Sequence, residues 1–532
     1  MPPGNPTAPL RNRKATMDEE VRTEDRWNGE SLTGLVETDP AGRLYNEDLA
    51  PVPRSRRTWN VYHLMSLWMN VAHNAASYTW AAGIFLTLGI SAFDMTVAIF
   101  IGCVLLSIGC VLSGLIGQKT GSPFPVISRI TWGIWGANVA AVIRGIVAIA
   151  WYGVQTYLAS IALNAIVTRL WPAFGDLSAP GAPVILNLAV GGWICFLLLS
   201  LIQLYVVQKG MEAVRHVQGW AGPIIWVMML GAMVYFLNEA GWSFDWFTGV
   251  GGASFDLAAK IGLIALVAAQ VVSQLAPVML NYADFARFSK DERSVKIGTL
   301  IGAPLNWTLF AVTSVLTTGA AAQVLTGIDQ EAIKDPGILM THVSNDLLFY
   351  IFAGGFTLAT IGVNIISNFV SAAFDISNIA PRRISFRRAG FFTALIAVVV
   401  TPWNYFNNPI VVGYFLGSLG AMIGPLFGIM IADFYLVRRQ SFALRHMFMP
   451  TPESIYYYNR GVSLKTLWAF IPASAIALTI AVVPAFGALT NYGWFIGAGL
   501  GLVLHLVISR GRVIIVPAPD AQGEADPALA RD

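Results

Sequence analysis

Apolar runs of about 20 residues, the length that crosses a bilayer's hydrocarbon core, recur along most of this chain between short polar connections. Twelve are counted, at 61–88, 92–117, 136–167, 184–207, 213–237, 261–282, 297–322, 344–376, 389–403, 408–437, 465–486 and 488–509, the ninth being the shortest. The pattern predicts an all-α polytopic membrane protein with one twelve-helix transporter domain over 59–510. Residues 1–58 are polar and proline-containing and lack the apolar centre of a signal peptide, so they are expected to form a disordered cytoplasmic tail, with a second cytoplasmic tail at 511–532.

Two runs are interrupted. In the first, Asn70, His73, Asn74, Ser77, Tyr78 and Thr79 fall between the apolar stretches Val61–Trp68 and Trp80–Leu88. A polar group left unpaired at that depth costs several kcal/mol, so such residues face a cavity or a partner. Asn and Ser also serve as plain interhelical bonds, and a lone imidazole as a satisfied core residue. In the sixth run, Gln270, Ser273, Gln274 and Pro277 interrupt Ile261–Tyr282, and a proline frees backbone carbonyls. Breaks in helices one and six, five apart, are what an inverted five-plus-five repeat with two extra helices would place on either side of a central site.

Composition agrees with the pattern: 55% hydrophobic, only 12% charged, mean hydropathy +0.61. The net charge of +3 matters less than its distribution. With the N-terminus cytoplasmic, the inside loops hold 17 Lys and Arg, among them Lys209, Arg287, Arg382 and Arg438, against Arg169, Lys260 and Lys334 outside. A multi-pass protein of the plasma (inner) membrane with both termini cytoplasmic follows. Cys103, Cys110 and Cys195 lie inside apolar runs and imply no disulfide or metal framework. There is no basic face with interleaved aromatics, so no nucleic-acid partner is expected, and nothing in the pattern sets an oligomeric state.

Trp151 and Gln155, four apart in the third run, share one helix face. An indole beside an amide offers a stacking plane with a donor and an acceptor, which suits planar heterocycles bearing N–H and C=O edges. Asn364 and Asn368 likewise share a face of the eighth run, with Ser367 between them. Two amides meeting in one cavity favour a neutral substrate; an anionic one would want an intramembrane cation, for which Arg144 is the candidate. Glycines at four-residue spacing (Gly420/Gly424/Gly428 and Gly493/Gly497/Gly501) predict close helix packing, with a kink or gate possible at Pro425.

The chain resembles the nucleobase:cation symporter-1 family of purine, pyrimidine, allantoin and hydantoin permeases over almost the whole membrane region. The resemblance is carried by Asn46-Glu-Asp-Leu-Ala-Pro with Arg57-Thr-Trp, by Trp151-Tyr-Gly-Val-Gln155-Thr, by Leu280-Asn-Tyr-Ala-Asp284-Phe-Ala-Arg287, by Asn364 through Asn368, and by Gly424-Pro through Asp433 to Arg439 followed by Tyr458-Asn-Arg460-Gly. It implies the leucine-transporter-like twelve-helix fold, with Trp151 stacking on the substrate, Gln155 and Asn368 bonding its edges, and Asn74 in the unwound segment of span one. Relatives often carry a second stacking Trp nine residues before the residue matching Asp284; here Leu275 stands there, preceded by Gln274. Sodium-coupled relatives carry hydroxyls where this chain has Gly362 and Val363. The resemblance therefore favours a co-transported proton over sodium, with no cofactor. His73 is the proton-coupling candidate, and Asp284 and Asp375 are alternatives expected to pair locally with Arg287 and Arg382.

The expected function is import of a nucleobase or related heterocycle by alternating access, the protein's partners being that small molecule, a coupling cation and the lipid bilayer. Sodium-coupled uptake of a heterocyclic vitamin is the alternative. An enzyme is not expected, since there is no His-Glu zinc motif, no Gly-x-Ser-x-Gly and no paired intramembrane carboxylates. A channel would carry pore-lining charge or a repeated filter.

Overall fold

The computed structural model describes Leu35, Asp39 and residues 41–509 apart from Asn408. Ten of the expected spans are helices long and apolar enough to cross a membrane: Ala92–Thr120, Ala137–Leu170, Val190–Gln208, Ala213–Glu239, Leu257–Ala286, Glu292–Val324, Asp346–Ile379, Gly417–Val437, Leu464–Val482 and Pro484–Ser509. The first expected span is instead two shorter helices, Val61–Ala72 and Ala75–Leu88. The ninth is a 14-residue helix, Phe386–Val399.

The interruption expected in span six does not open the helix. Leu257–Ala286 runs unbroken through Pro277. One proline removes one N–H and frees one carbonyl, whereas a full break exposes about four of each. Span eight deviates differently: a π-turn, Ile365–Val370, is inserted between Asp346–Asn364 and Ser371–Ile379. Such turns shift the side chains that follow and recur at functional sites. A second π-turn, Ala432–Val437, ends span ten.

Span two packs against spans six and seven, and span one's first half against spans five and seven. Span eight lies against three and five, and spans ten, eleven and twelve form a peripheral group. The glycine ladders of ten and twelve meet: a Cβ on Gly501 would lie 2.8 Å from the Pro425 carbonyl oxygen, and one on Gly428 would collide with the Ala498 backbone. Pro425 itself sits within the helix Pro409–Ile431.

Two boundaries differ from the hydropathy reading. Residues 184–189, expected to begin span four, form a hairpin of Val184–Ile185 with Leu188–Ala189, turned by Leu186 and Asn187 at φ 48° and 67°. Residues 41–58, expected within the disordered tail, pack on the bundle. Leu49 is fully buried, Asn46 donates to the carbonyls of Pro381 (2.8 Å) and Ile384 (3.2 Å), and Arg57 donates to those of Val52 (2.9 Å) and Gln118 (2.5 Å). Backbone carbonyls at loop and helix ends recruit this segment, which hydropathy does not register. Residues 1–34 and 511–532 lie outside the described residues.

Candidate functional site

The break in span one is two residues long, His73 (φ −92°, ψ 108°) and Asn74 (φ −159°, ψ 159°), both extended. Its loose backbone ends are answered from three directions. The Asn74 Oδ1 accepts from the Ser77 N–H at 2.9 Å and so caps the second half-helix. Its Nδ2 donates to the Val71 carbonyl (3.2 Å) and the Ser77 hydroxyl (2.8 Å). The Ala75 N–H donates to Thr360 Oγ1 of span eight at 3.0 Å. Gln155 Nε2 also donates to Asn74 Oδ1, at 3.1 Å, which ties span three to the break.

Beside this junction lies a cavity lined by Asn74, Trp151, Gln155, Gln274, Leu275, Ser367 and Asn368, among others. It measures about 40 Å³, room for a water or so, so a heterocycle enters only if the lining helices move apart. Gln155 Oε1 and Ser367 Oγ are buried there with no hydrogen-bond partner among the described residues. Orphaned buried polar atoms of this kind are rare and call for an explanation. The lining includes the Trp151 indole and the aliphatic Leu275, with no second aromatic ring among its described residues.

Asn364 does not line the cavity. Its Nδ2 donates to the Tyr152 carbonyl (3.0 Å), Thr156 Oγ1 (2.9 Å) and Gln203 Oε1 (2.8 Å), while its Oδ1 accepts from Asn368 Nδ2 (2.9 Å). It holds Asn368 in place. Sequence reasoning missed Gln203 and Thr156, although Gln203 is the one amide between Val190 and Val207, a polar group at membrane depth of the kind that marks intramembrane function.

His73 faces the other way. Its ring is caged edge-on by Trp226 (centroids 4.1 Å apart) and Phe310 (5.5 Å), and its Nε2 has no hydrogen-bond partner among the described residues.

Below the cavity, toward the arginine-rich end, the expected ionic pairings are replaced by a shared one. Arg144 meets Asp375 through two bonds, Nε to Oδ2 at 2.7 Å and Nη2 to Oδ1 at 2.8 Å, and Asp284 Oδ2 through Nη1 at 2.9 Å. All three side chains are essentially fully buried. Asp284 Oδ1 accepts the Phe124 N–H at 2.7 Å. Arg287 instead donates to the carbonyls of Asp48 and Ala50 and lies over the rings of Phe288 and Phe374. Arg144 is thus committed to binding spans three, six and eight together and is not held ready for an anionic substrate. Three helices far apart in sequence place these charges, which local spacing cannot foresee.

A family model described as "Permease for cytosine/purines, uracil, thiamine, allantoin" matches residues 51–497. An allantoin permease of Bacillus subtilis (strain 168) is 31% identical over 476 residues, covering 88% of this chain and 94% of the relative. A hydantoin permease of Microbacterium maritypicum is 26% identical over 455 residues, covering 83% and 85%. Among solved structures, Mhp1, a nucleobase-cation-symport-1 family transporter in a closed conformation with bromovinylhydantoin bound, superposes with TM-score 0.70 at 23% identity, covering 88% of this chain and 95% of that one, which establishes a shared fold. This multi-pass membrane protein therefore belongs to the nucleobase:cation symporter-1 family and is a secondary transporter of nucleobase-like substrates, not an enzyme.

Proposed function

We propose that the protein imports a small ring of the ureide class, allantoin or a hydantoin, across the plasma (inner) membrane together with a proton, with both termini cytoplasmic. The observation that carries the substrate assignment is the pair of orphaned atoms, Gln155 Oε1 and Ser367 Oγ, beside the Trp151 indole. A cyclic imide or urea offers N–H donors for the amide oxygen, carbonyls for the hydroxyl, and a flat face for the indole. With Leu275 in the lining and Trp151 its single aromatic ring among the described residues, the cavity suits a ring with a tetrahedral carbon better than a base sandwiched between two rings, and Gln274 offers an amide to a ureido substituent. The similarity to the Bacillus allantoin permease supports the same class.

Proton coupling rests on two features. Span eight brings Gly362 and Val363, which carry no side-chain oxygen, to the region of the break in span one, and the hydroxyl it does present there, Thr360 Oγ1, already accepts the Ala75 N–H. In the second, one guanidinium lies between two buried carboxylates. Asp284 also feels the charge of the buried Arg287, whereas Asp375 has Arg144 alone and shares it, so Asp375 is the carboxylate proposed to take the proton. Protonation of Asp375 would release its two bonds to Arg144 and loosen span eight from span three, which links the proton to opening on the inner side.

The test is uptake into proteoliposomes of allantoin, hydantoin, uracil and cytosine, with and without sodium and with a protonophore. Accumulation of a ureide that is sodium-independent and abolished by the protonophore is expected. Sodium dependence would overturn the coupling, and a preference for uracil or cytosine the substrate class. Gln155→Ala should weaken ureide binding by about 1–3 kcal/mol, the usual cost of an unmatched buried hydrogen bond. Asp375→Asn should retain ureide exchange while losing accumulation, whereas His73→Gln should leave the pH profile of uptake unchanged; the reverse pattern would make His73 the carrier.

A further inference from the structure

Asn281 of span six is 1% exposed and does not line the transport cavity. Both hydrogen bonds it donates go to span eight: its Nδ2 reaches the Ser367 carbonyl and Ser371 Oγ, each at 2.7 Å. A carbonyl can only accept, so the amide cannot be turned round without losing that bond. Its Oδ1 is left buried with no partner among the described residues. An unanswered buried acceptor is costly, and here it accompanies the placing of two donors on one short stretch of a neighbouring helix.

That stretch is the π-turn Ile365–Val370 and the residue after it. The turn carries Ser367 and Asn368 into the cavity lining. π-turns are rare inside α-helices, and a side chain that enters a helix's own bond ladder is one of the few identified causes of such a distortion. Here the turn is gripped from two sides. Asn281 holds the Ser367 carbonyl from span six, while Asn364, anchored on Thr156 of span three and Gln203 of span four, takes Asn368 Nδ2 at 2.9 Å. With its backbone pinned, Ser367 keeps its hydroxyl buried at the cavity without a partner among the described residues. Asn281 also stands between two levels of the bundle. Pro277 and Val278 of the cavity lining are one turn before it, and Asp284 of the buried ion cluster is one turn after it. Ser371, whose hydroxyl it holds, gives its carbonyl to Arg144 Nη2 at 3.2 Å. One amide therefore touches the frame of the transport site and the frame of the ion cluster.

We propose that Asn281 is a positioning residue of the transport site: without touching the substrate ring, it holds the π-turn of span eight so that Ser367 Oγ and the Asn368 amide are presented to the cavity. This rests on the reading of that cavity as the ureide site. A residue that acts through Ser367 loses its effect once the Ser367 hydroxyl is gone, whereas a plain interhelical bond adds its own loss independently. The experiment is a double-mutant cycle: thermal-shift titration of the full-length protein in detergent with allantoin and with hydantoin, for wild type, Asn281→Leu, Ser367→Ala and the double variant. Each single variant should raise the apparent Kd about tenfold, as for one unmatched buried hydrogen bond, and the double variant by no more than about twofold beyond the larger single effect. An unchanged Kd in Asn281→Leu, or losses that multiply to about a hundredfold in the double variant, overturns the assignment. Should Asn281→Leu fail to fold, Asn281→Ala carries the same cycle, because it leaves room for a water to answer the Ser367 carbonyl. A ligand-free readout stands beside the cycle: amide exchange over residues 365–371 should quicken in the Asn281 variant while that of residues 257–270 in span six stays as in wild type. Unchanged exchange over 365–371, or a rise spread over the whole bundle, overturns the positioning role. If the wild type binds uracil or cytosine and neither ureide, the ureide reading fails and the cycle is run with that base; if it binds none of the four, the exchange measurement decides for Asn281.

Discussion

Span one and span six each carry amides within an apolar run, and span six adds a proline, yet only span one breaks. In span one side chains answer loose backbone groups on both sides of the break: Asn74 caps the second half and bonds back to Val71, and Thr360 receives the Ala75 N–H. In span six, Gln270 reaches sideways to Asn491 at 2.9 Å, and Gln274, Leu275 and Ala276 before Pro277 include no Ser, Thr, Asn or Asp to cap a new helix. A bilayer has no water to answer orphaned backbone groups. The break therefore falls where side chains can answer them, and a proline alone does not suffice.

Mutations at the two spans should differ in effect, the largest lying where span six is held from outside. Arg144→Met leaves Asp284 and Asp375 buried without their shared cation; it should cost about 3–5 kcal/mol and show as loss of folded protein in detergent. Near-normal folding would mean that span six needs no such anchor. Pro277→Ala restores one backbone bond in a helix that is already continuous, so stability should rise by up to about 3 kcal/mol, seen as a higher midpoint of thermal unfolding. A fall would show that span six uses its proline as an open hinge. Asn74→Ala removes the cap of span one and the hold on Gln155, and a loss of about 2 kcal/mol with weakened ureide binding is expected in a thermal-shift titration. Thr360→Val withdraws only the acceptor of the Ala75 N–H, about 1 kcal/mol, and faster amide exchange over the segment around Ala75 should report it.

Within this frame the legible and illegible parts of the molecule separate by range. The spans, the break at His73–Asn74, the shared face of Trp151 and Gln155 and the meeting glycines of spans ten and twelve are local or periodic features, readable because a helix in lipid must place polar and small residues on particular faces. The helix is continuous at Pro277, against the break its sequence suggests, because a proline signals a lost bond without saying whether neighbours favour the alternative. The π-turn at Ile365–Val370 was invisible, since one extra residue in a turn leaves no compositional mark. Asn364 has a ligand's spacing, but its Nδ2 sits among three acceptors on spans three and four and its Oδ1 takes Asn368, which makes it a support for Asn368.

By itself, then, the sequence determined the membrane class, the approximate spans, the family and the residue types available at mid-membrane depth, because hydrophobic length and short motifs are properties of contiguous chain. Tertiary structure alone decided which polar groups satisfy one another and which remain open. Arg144 was drawn to Asp284 and Asp375, His73 was turned into an aromatic cage, and Gln155 Oε1, Ser367 Oγ and His505 Nδ1 were left unanswered. A buried charge or hydrogen-bonding group takes the nearest partner in space, and in a helical bundle that partner usually belongs to another helix far off along the chain, 140 residues for Arg144 and Asp284 and 81 for Gln155 and Asn74.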